Sequence, residues 1–81
     1  MNLLSEMTVG QHGRVLDVQG TDSVSLRLME MGLTPGVRFR MIGKAPLGDP
    51  LELEVRGYRL SVRKSEAARV VIEPAPPVEN R

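Results

Sequence analysis

The sequence predicts a mainly β fold: a small curled antiparallel sheet of about five strands, with a short α-helix inserted at roughly residues 22–31 and a helical turn near residues 64–67. Two patterns predict it. Short apolar–polar alternations recur through the second half of the chain, separated by glycine and proline. One stretch of helical periodicity occurs early and stops at a glycine. Eighty-one residues leave room for a single core, and a chain of this size buries roughly 60–65% of its unfolded surface.

Asn2 to Met7 fits one helical turn that tucks Leu3, Leu4 and Met7 against the body, and Gln11-His12-Gly13 is a turn. Arg14 to Val18 is the first strand. Its apolar residues Val15, Leu16 and Val18 break strict alternation, which implies a bulge or burial on both faces. Thr21 or Asp22 then supplies the side-chain oxygen that caps a helix.

Within that helix Val24, Leu28 and Met31 stand at i, i+4 and i+7, so they define an inward stripe. Gly32 is placed to end it with left-handed backbone angles, bringing Leu33 back onto Leu28. Pro35-Gly36 reads as a type II turn. In the next strand, Val37 to Ile42, the residues Val37, Phe39 and Met41 point in while Arg38 and Arg40 point out.

Ala45 to Pro50 is a proline-stiffened loop. Leu51, Leu53 and Val55 then alternate with Glu52, Glu54 and Arg56, and the outward glutamates can face the outward arginines of the preceding strand. Arg56-Gly57 makes a tight hairpin into Tyr58–Val62, where Leu60 and Val62 continue the inward face. A short helical turn leads into the last strand, Arg69 to Glu73. The P-A-P-P-V-E-N-R end has little to bury, so residues 1–73 form the domain and 74–81 a mobile tail. A sheet this small protects its edges by curling, which makes the fold an SH3-like barrel with an inserted helix.

Composition narrows the function. With no cysteine, neither disulfides nor thiolate metal sites are available. Eleven basic against ten acidic residues give a net charge of +1, too little for a dedicated nucleic-acid binder. No stretch has the character of a signal peptide or reaches the ~20 apolar residues of a membrane span, so the expected compartment is the cytoplasm.

Catalysis lacks parts. The single histidine, His12, sits in a turn without a carboxylate beside it, and no phosphate-binding glycine loop occurs. Arg27, Arg59 or Arg63 could serve as an arginine finger, but solvated surface arginines explain them better. Asp17, Asp22 and Glu66 are scattered, so no resident metal or other cofactor is expected, which leaves only transient divalent-metal contact open.

What remains is binding. Leu26 and Met29 fall opposite the inward stripe at about 100° per residue, either to meet a partner or to be covered by the N-terminal segment. Arg27 and Glu30 would rim that patch. The second candidate surface is the loop Ala45, Pro46, Leu47, Gly48, Asp49 and Pro50, for which a turn-forming role is an equal explanation. With only Phe39 and Tyr58 as aromatics, a groove for proline helices is disfavoured.

Three segments, R-L-M-E-M-G-L-T-P-G, A-P-L-G-D-P and R-G-Y-R-L-S-V-R-K-S-E-A, in this order and spacing, resemble the ferrous-iron transport protein A (FeoA) family from about Leu3 to Glu73. The matching positions are Leu28, Gly32, Leu33, Pro35 and Gly36, then Ala45, Pro46, Gly48 and Pro50, then Gly57, Leu60, Arg63, Glu66 and Ala67. Met31 stands where the family commonly has leucine, a volume-tolerant exchange. A related domain closes metal-dependent repressors of the diphtheria-toxin-repressor kind.

The resemblance implies a non-enzymatic cytosolic adaptor of ferrous-iron uptake. Its implied partner is the cytosolic G domain of the membrane iron permease, ferrous-iron transport protein B (FeoB), at whose membrane face it could be recruited without inserting itself. The alternative is a regulatory module that senses divalent metal and acts with a repressor.

Overall fold

Alternation decides the sheet. In the computed structural model, which describes residues 2–77, Leu51, Leu53 and Val55 are fully buried while Glu52 and Glu54 between them are not. The strands are β1 (Asn2–Leu3), β2 (His12–Val18), β3 (Arg38–Lys44), β4 (Leu51–Val55), β5 (Tyr58–Val62) and β6 (Val70–Pro74). Helix α1 (Ser23–Glu30) joins β2 to β3, and α2 (Lys64–Ala67) joins β5 to β6. All six strands form one antiparallel sheet in the order β1-β6-β2-β3-β4-β5. Its inner face, Leu28 of α1 and Ala67 of α2 enclose one apolar core.

The mainly β, SH3-like expectation holds, with one strand more than expected. Two residues are too few to show a period, so β1 is invisible as a pattern. It pairs Asn2 with Ile72 and Leu3 with Val71. A 3₁₀ turn over Leu4–Glu6 follows, in which Glu6 Oε1 accepts from the Leu3 N–H at 3.0 Å. Leu4 and Met7 are buried as expected, whereas Leu3 is only half-buried.

The broken alternation of β2 is a bulge. Its register against β6 shifts between Val15 and Asp17, and Leu16 turns out to solvent. β2 also begins earlier than expected, at His12, which pairs with Arg40. Arg40 faces Glu54 at 3.3 Å, the outward arginine–glutamate pairing anticipated between β3 and β4. Glu52 instead meets Arg59 of β5, because a bulge in β3 sets Gly43 opposite it.

The last strand ends one residue beyond the expected Glu73. Pro74 belongs to β6, opposite Gly13, and the Ala75 N–H donates to the His12 carbonyl at 3.1 Å. Proline is tolerated there because none of the described β1 residues pairs with it, so its missing N–H costs no ladder bond among the described residues. Residues 78–81 of the expected mobile tail lie outside the described residues.

Candidate functional site

Helix α1 starts at Asp22, whose Oδ1 accepts from the Ser25 N–H at 3.2 Å. The same oxygen lies 2.5 Å from Arg69 Nη1. The Arg69 guanidinium, followed by the Ser25 N–H, holds the Asp22 carboxyl down from its ordinary 3.8 to about 2. Ser25 is buried, and its hydroxyl donates to the Gln19 carbonyl at 2.5 Å.

That buried serine rotates the helix relative to expectation. The inner arc is Val24, Ser25, Leu28 and Met29, roughly 60° round from the stripe that hydrophobicity alone selects, at ~100° per residue. Val24 is half-buried and packs against the core as expected, and Met31 is half-buried. Met29 was expected outside. It packs against the core, and so is removed from the candidate partner surface.

The outer face keeps Leu26, 56% exposed, together with Glu30. Arg27, expected at the rim, pairs with Glu66 of α2 and so fastens the two helices together. The far end of α1 closes as its sequence dictates. Gly32 has φ 114°, and the N–H groups of Leu33 and Gly32 donate to the carbonyls of Leu28 and Met29 at 3.1 and 3.0 Å. Leu33 is buried with Leu28. The Tyr58 hydroxyl donates to the Met31 carbonyl at 2.7 Å and fills the space a Cβ on Gly32 would need. Pro35 and Gly36 (φ 92°) then form the expected type II turn, closed by Val37 N–H to Thr34 O at 3.0 Å.

The loop at 45–50 contains a 3₁₀ turn over Pro46–Gly48, with Gly48 N–H donating to Ala45 O at 2.8 Å. The Ala45 N–H donates to Pro50 O at 3.0 Å, and the Asp49–Pro50 peptide is cis. Asp49 Oδ1 accepts from the Lys64 N–H at 3.0 Å, so this loop caps α2. At its apex Leu47 takes φ 73° and is fully exposed. A leucine in that backbone region costs roughly 1–2 kcal/mol, and no burial offsets it.

Both candidate surfaces therefore converge on α2, the outer face of α1 through Arg27–Glu66 and the loop through Asp49. Leu28, Gly32, Leu33, Pro35, Gly36 and Gly57 build structure: two are buried leucines and four shape turns. Sequence reasoning missed Ser25, Tyr58 and the capping role of Asp49. A polar residue one turn before Leu28 was the available signal for Ser25. The other two contacts join segments distant in the chain and leave no local signal. Among the described residues no three His, Asp or Glu side chains gather as a metal site would require, and no helix is long and apolar enough to cross a membrane.

A family profile described as the FeoA domain matches residues 2–74. A curated relative from Porphyromonas gingivalis, named Fe(2+) transport protein A/Fe(2+) transporter FeoB fusion protein, is 31% identical over 70 residues. The match takes in 86% of this chain and spans only 8% of the relative's length. Among solved structures, the FeoA-like protein of Clostridium acetobutylicum is 34% identical with a TM-score of 0.85, covering 98% of this chain and 92% of that one. FeoA of Stenotrophomonas maltophilia, solved with zinc and described as a prokaryotic SH3 domain protein, is 36% identical with a TM-score of 0.80, covering 90% and 91%. The manganese regulator SloR shares the fold alone: its TM-score is 0.78 at 19% identity, over 90% of this chain and 34% of that one.

Proposed function

This chain belongs to the FeoA domain family, a family of ferrous-iron transport, and from that premise we propose that it is a non-enzymatic adaptor that binds the cytosolic G domain of an FeoB-like permease and modulates iron uptake. The observation that carries this reading is the P. gingivalis relative, in which an FeoA segment and FeoB share one polypeptide. Fusion raises the effective concentration of one part at the other, which favours parts that work in contact. The adaptor acts in the cytoplasm and reaches the membrane through its partner.

The contact surface proposed is Leu26 with Glu30 on α1, continued by the loop at 45–50 with Leu47 at its tip. Leu26 and Leu47 are large apolar side chains left exposed on a small protein, and Leu47 is held out by a backbone conformation that leucine avoids. An exposed hydrophobe presented from a fixed scaffold suits a pocket on a partner. Arg27, Ala45, Pro46, Gly48, Asp49 and Pro50 hold these two in position. Direct metal handling has no part in this reading.

The experiment is co-purification with the isolated permease G domain, with and without guanine nucleotide. Wild-type protein should retain the G domain. Leu26→Asp and Leu47→Asp, each at an exposed position, should keep the fold and weaken retention by about tenfold or more, equivalent to ~1.4 kcal/mol per decade. Undiminished retention by both folded variants would remove this surface from the interface, and no retention by the wild type would remove the adaptor reading itself.

A further inference from the structure

A second surface carries unmatched charge. The outer face of β2, β3 and β4 forms an open groove of about 690 Å³, with His12, Arg38, Arg40, Glu54 and Arg56 along its walls. Register places cation against cation here, with Arg14 directly opposite Arg38, and sets His12 opposite Arg40. Like charges facing across antiparallel strands are destabilising, so neighbouring carboxylates are needed to balance them. Arg40 has Glu54 at 3.3 Å, and Arg14 has Glu73 at 3.5 Å. Among the described residues Arg38 finds only the Pro76 carbonyl, at 3.2 Å. Arg56 makes no hydrogen bond or ion pair to any described residue.

Arg56 is also placed at a cost. It takes φ 51° at the first position of the two-residue β4–β5 turn, where asparagine, aspartate or glycine is the usual occupant. Neither local packing nor local charge explains an arginine there.

We propose that this groove is a docking site for an acidic segment of a protein partner, two of whose carboxylates pair with Arg38 and Arg56. Guanidinium forks bind carboxylates bidentately. Arg38 and Arg56 stand just beyond the Phe39–Val55 pair, at the ends of two neighbouring strands that lie ~4.8 Å apart, so side chains of one short extended segment can reach both. The rim selects the occupant's chemistry. Glu54 lines the groove beside the two arginines, and Glu73 lies beyond Arg14 on β6; both repel a continuous polyphosphate backbone. A peptide can instead place acids at the centre and neutral residues at the edges. This surface is separate from Leu26 and Leu47, and each can be disabled without touching the other.

The test is a titration of the ¹⁵N-labelled full chain with an N-acetylated, C-amidated Glu-Gly-Glu-Gly-Glu peptide, its glutamine counterpart and inorganic phosphate. The acidic peptide should give saturable amide shifts at Gly13, Gly36, Arg38 and Gly57 that collapse at about 0.5 M salt. The glutamine peptide should give none. Arg38→Gln with Arg56→Gln should weaken binding at least about fivefold in an otherwise native spectrum, while Leu26→Asp should leave it unchanged. Shifts that persist in the double arginine variant, that fail to saturate, or that phosphate reproduces with equal affinity would overturn the proposal.

Discussion

The α1–α2 corner and the groove on the outer face of the sheet are both polar, and they differ in whether their charges are matched. At the corner Asp22 meets Arg69, Arg27 meets Glu66, and Asp49 receives the Lys64 N–H. Each contact joins elements remote in sequence and fixes how the helices sit on the sheet. In the groove Arg38 reaches only a carbonyl and Arg56 nothing among the described residues. Matched charge at the corner sets geometry, while unmatched charge in the groove remains available to something outside the molecule. Exposed ion pairs are individually worth ~0–1 kcal/mol, so the corner's value lies in fixing orientation more than in stability.

The largest expected effect falls at the corner's far end. Gly32→Ala places a methyl where φ is 114° and where the Tyr58 hydroxyl already sits. The left-handed backbone alone costs roughly 1–2 kcal/mol, and the displaced Tyr58–Met31 bond adds about 1 kcal/mol. Urea denaturation should therefore show a loss of about 2–3 kcal/mol, or roughly 10–20 °C in Tm for a domain of this size. Tyr58→Phe removes the atom in the way, so the double variant should lose less than the sum of the two singles. Strict additivity would mean that the corner does not rest on this contact.

How far the sequence reveals each region follows from the same contrast. The core strands were readable because Leu51, Leu53 and Val55, or Val37, Phe39 and Met41, repeat every second residue, and a repeat is local. The end of α1 was readable because Gly32, Leu33, Pro35 and Gly36 encode backbone angles within a few residues. Met29 was misplaced because the buried position beside it is a serine, whose burial depends on the Gln19 carbonyl and Arg69 rather than on hydrophobicity. The candidate surface was half legible. Exposure of Leu26 follows from helical spacing, but Arg27–Glu66 and Asp49–Lys64 are tertiary contacts that no window detects. The groove was invisible for a similar reason, since strand register alone sets Arg14 against Arg38.

A smaller effect of opposite sign belongs to the groove. If Arg56 is retained for an outside ligand, the folded protein should be better off without it. Arg56→Asn suits the left-handed turn position and removes an unmatched cation. It should raise stability by about 0.5–1 kcal/mol in urea denaturation while weakening acidic-peptide binding. A loss of stability instead would show that Arg56 serves the fold.

The smallest effect is confined to acid. Asp22 has its carboxyl held at about 2 rather than 3.8, first by Arg69 and then by the Ser25 N–H. In acid the unfolded chain therefore takes up this proton before the folded chain does, and the stabilisation is fully present above about pH 4 and lost as pH falls through about 2. Asp22→Asn keeps an oxygen for the helix cap but cannot answer Arg69 with charge. Wild type should thus be the more stable above about pH 5, and the two urea midpoints should converge as pH approaches 2. A gap that stays constant across this range would assign Asp22 to capping alone and remove one ion pair from the matched corner. Convergence would show that the Asp22 charge helps seat α1 against Arg69, just ahead of β6.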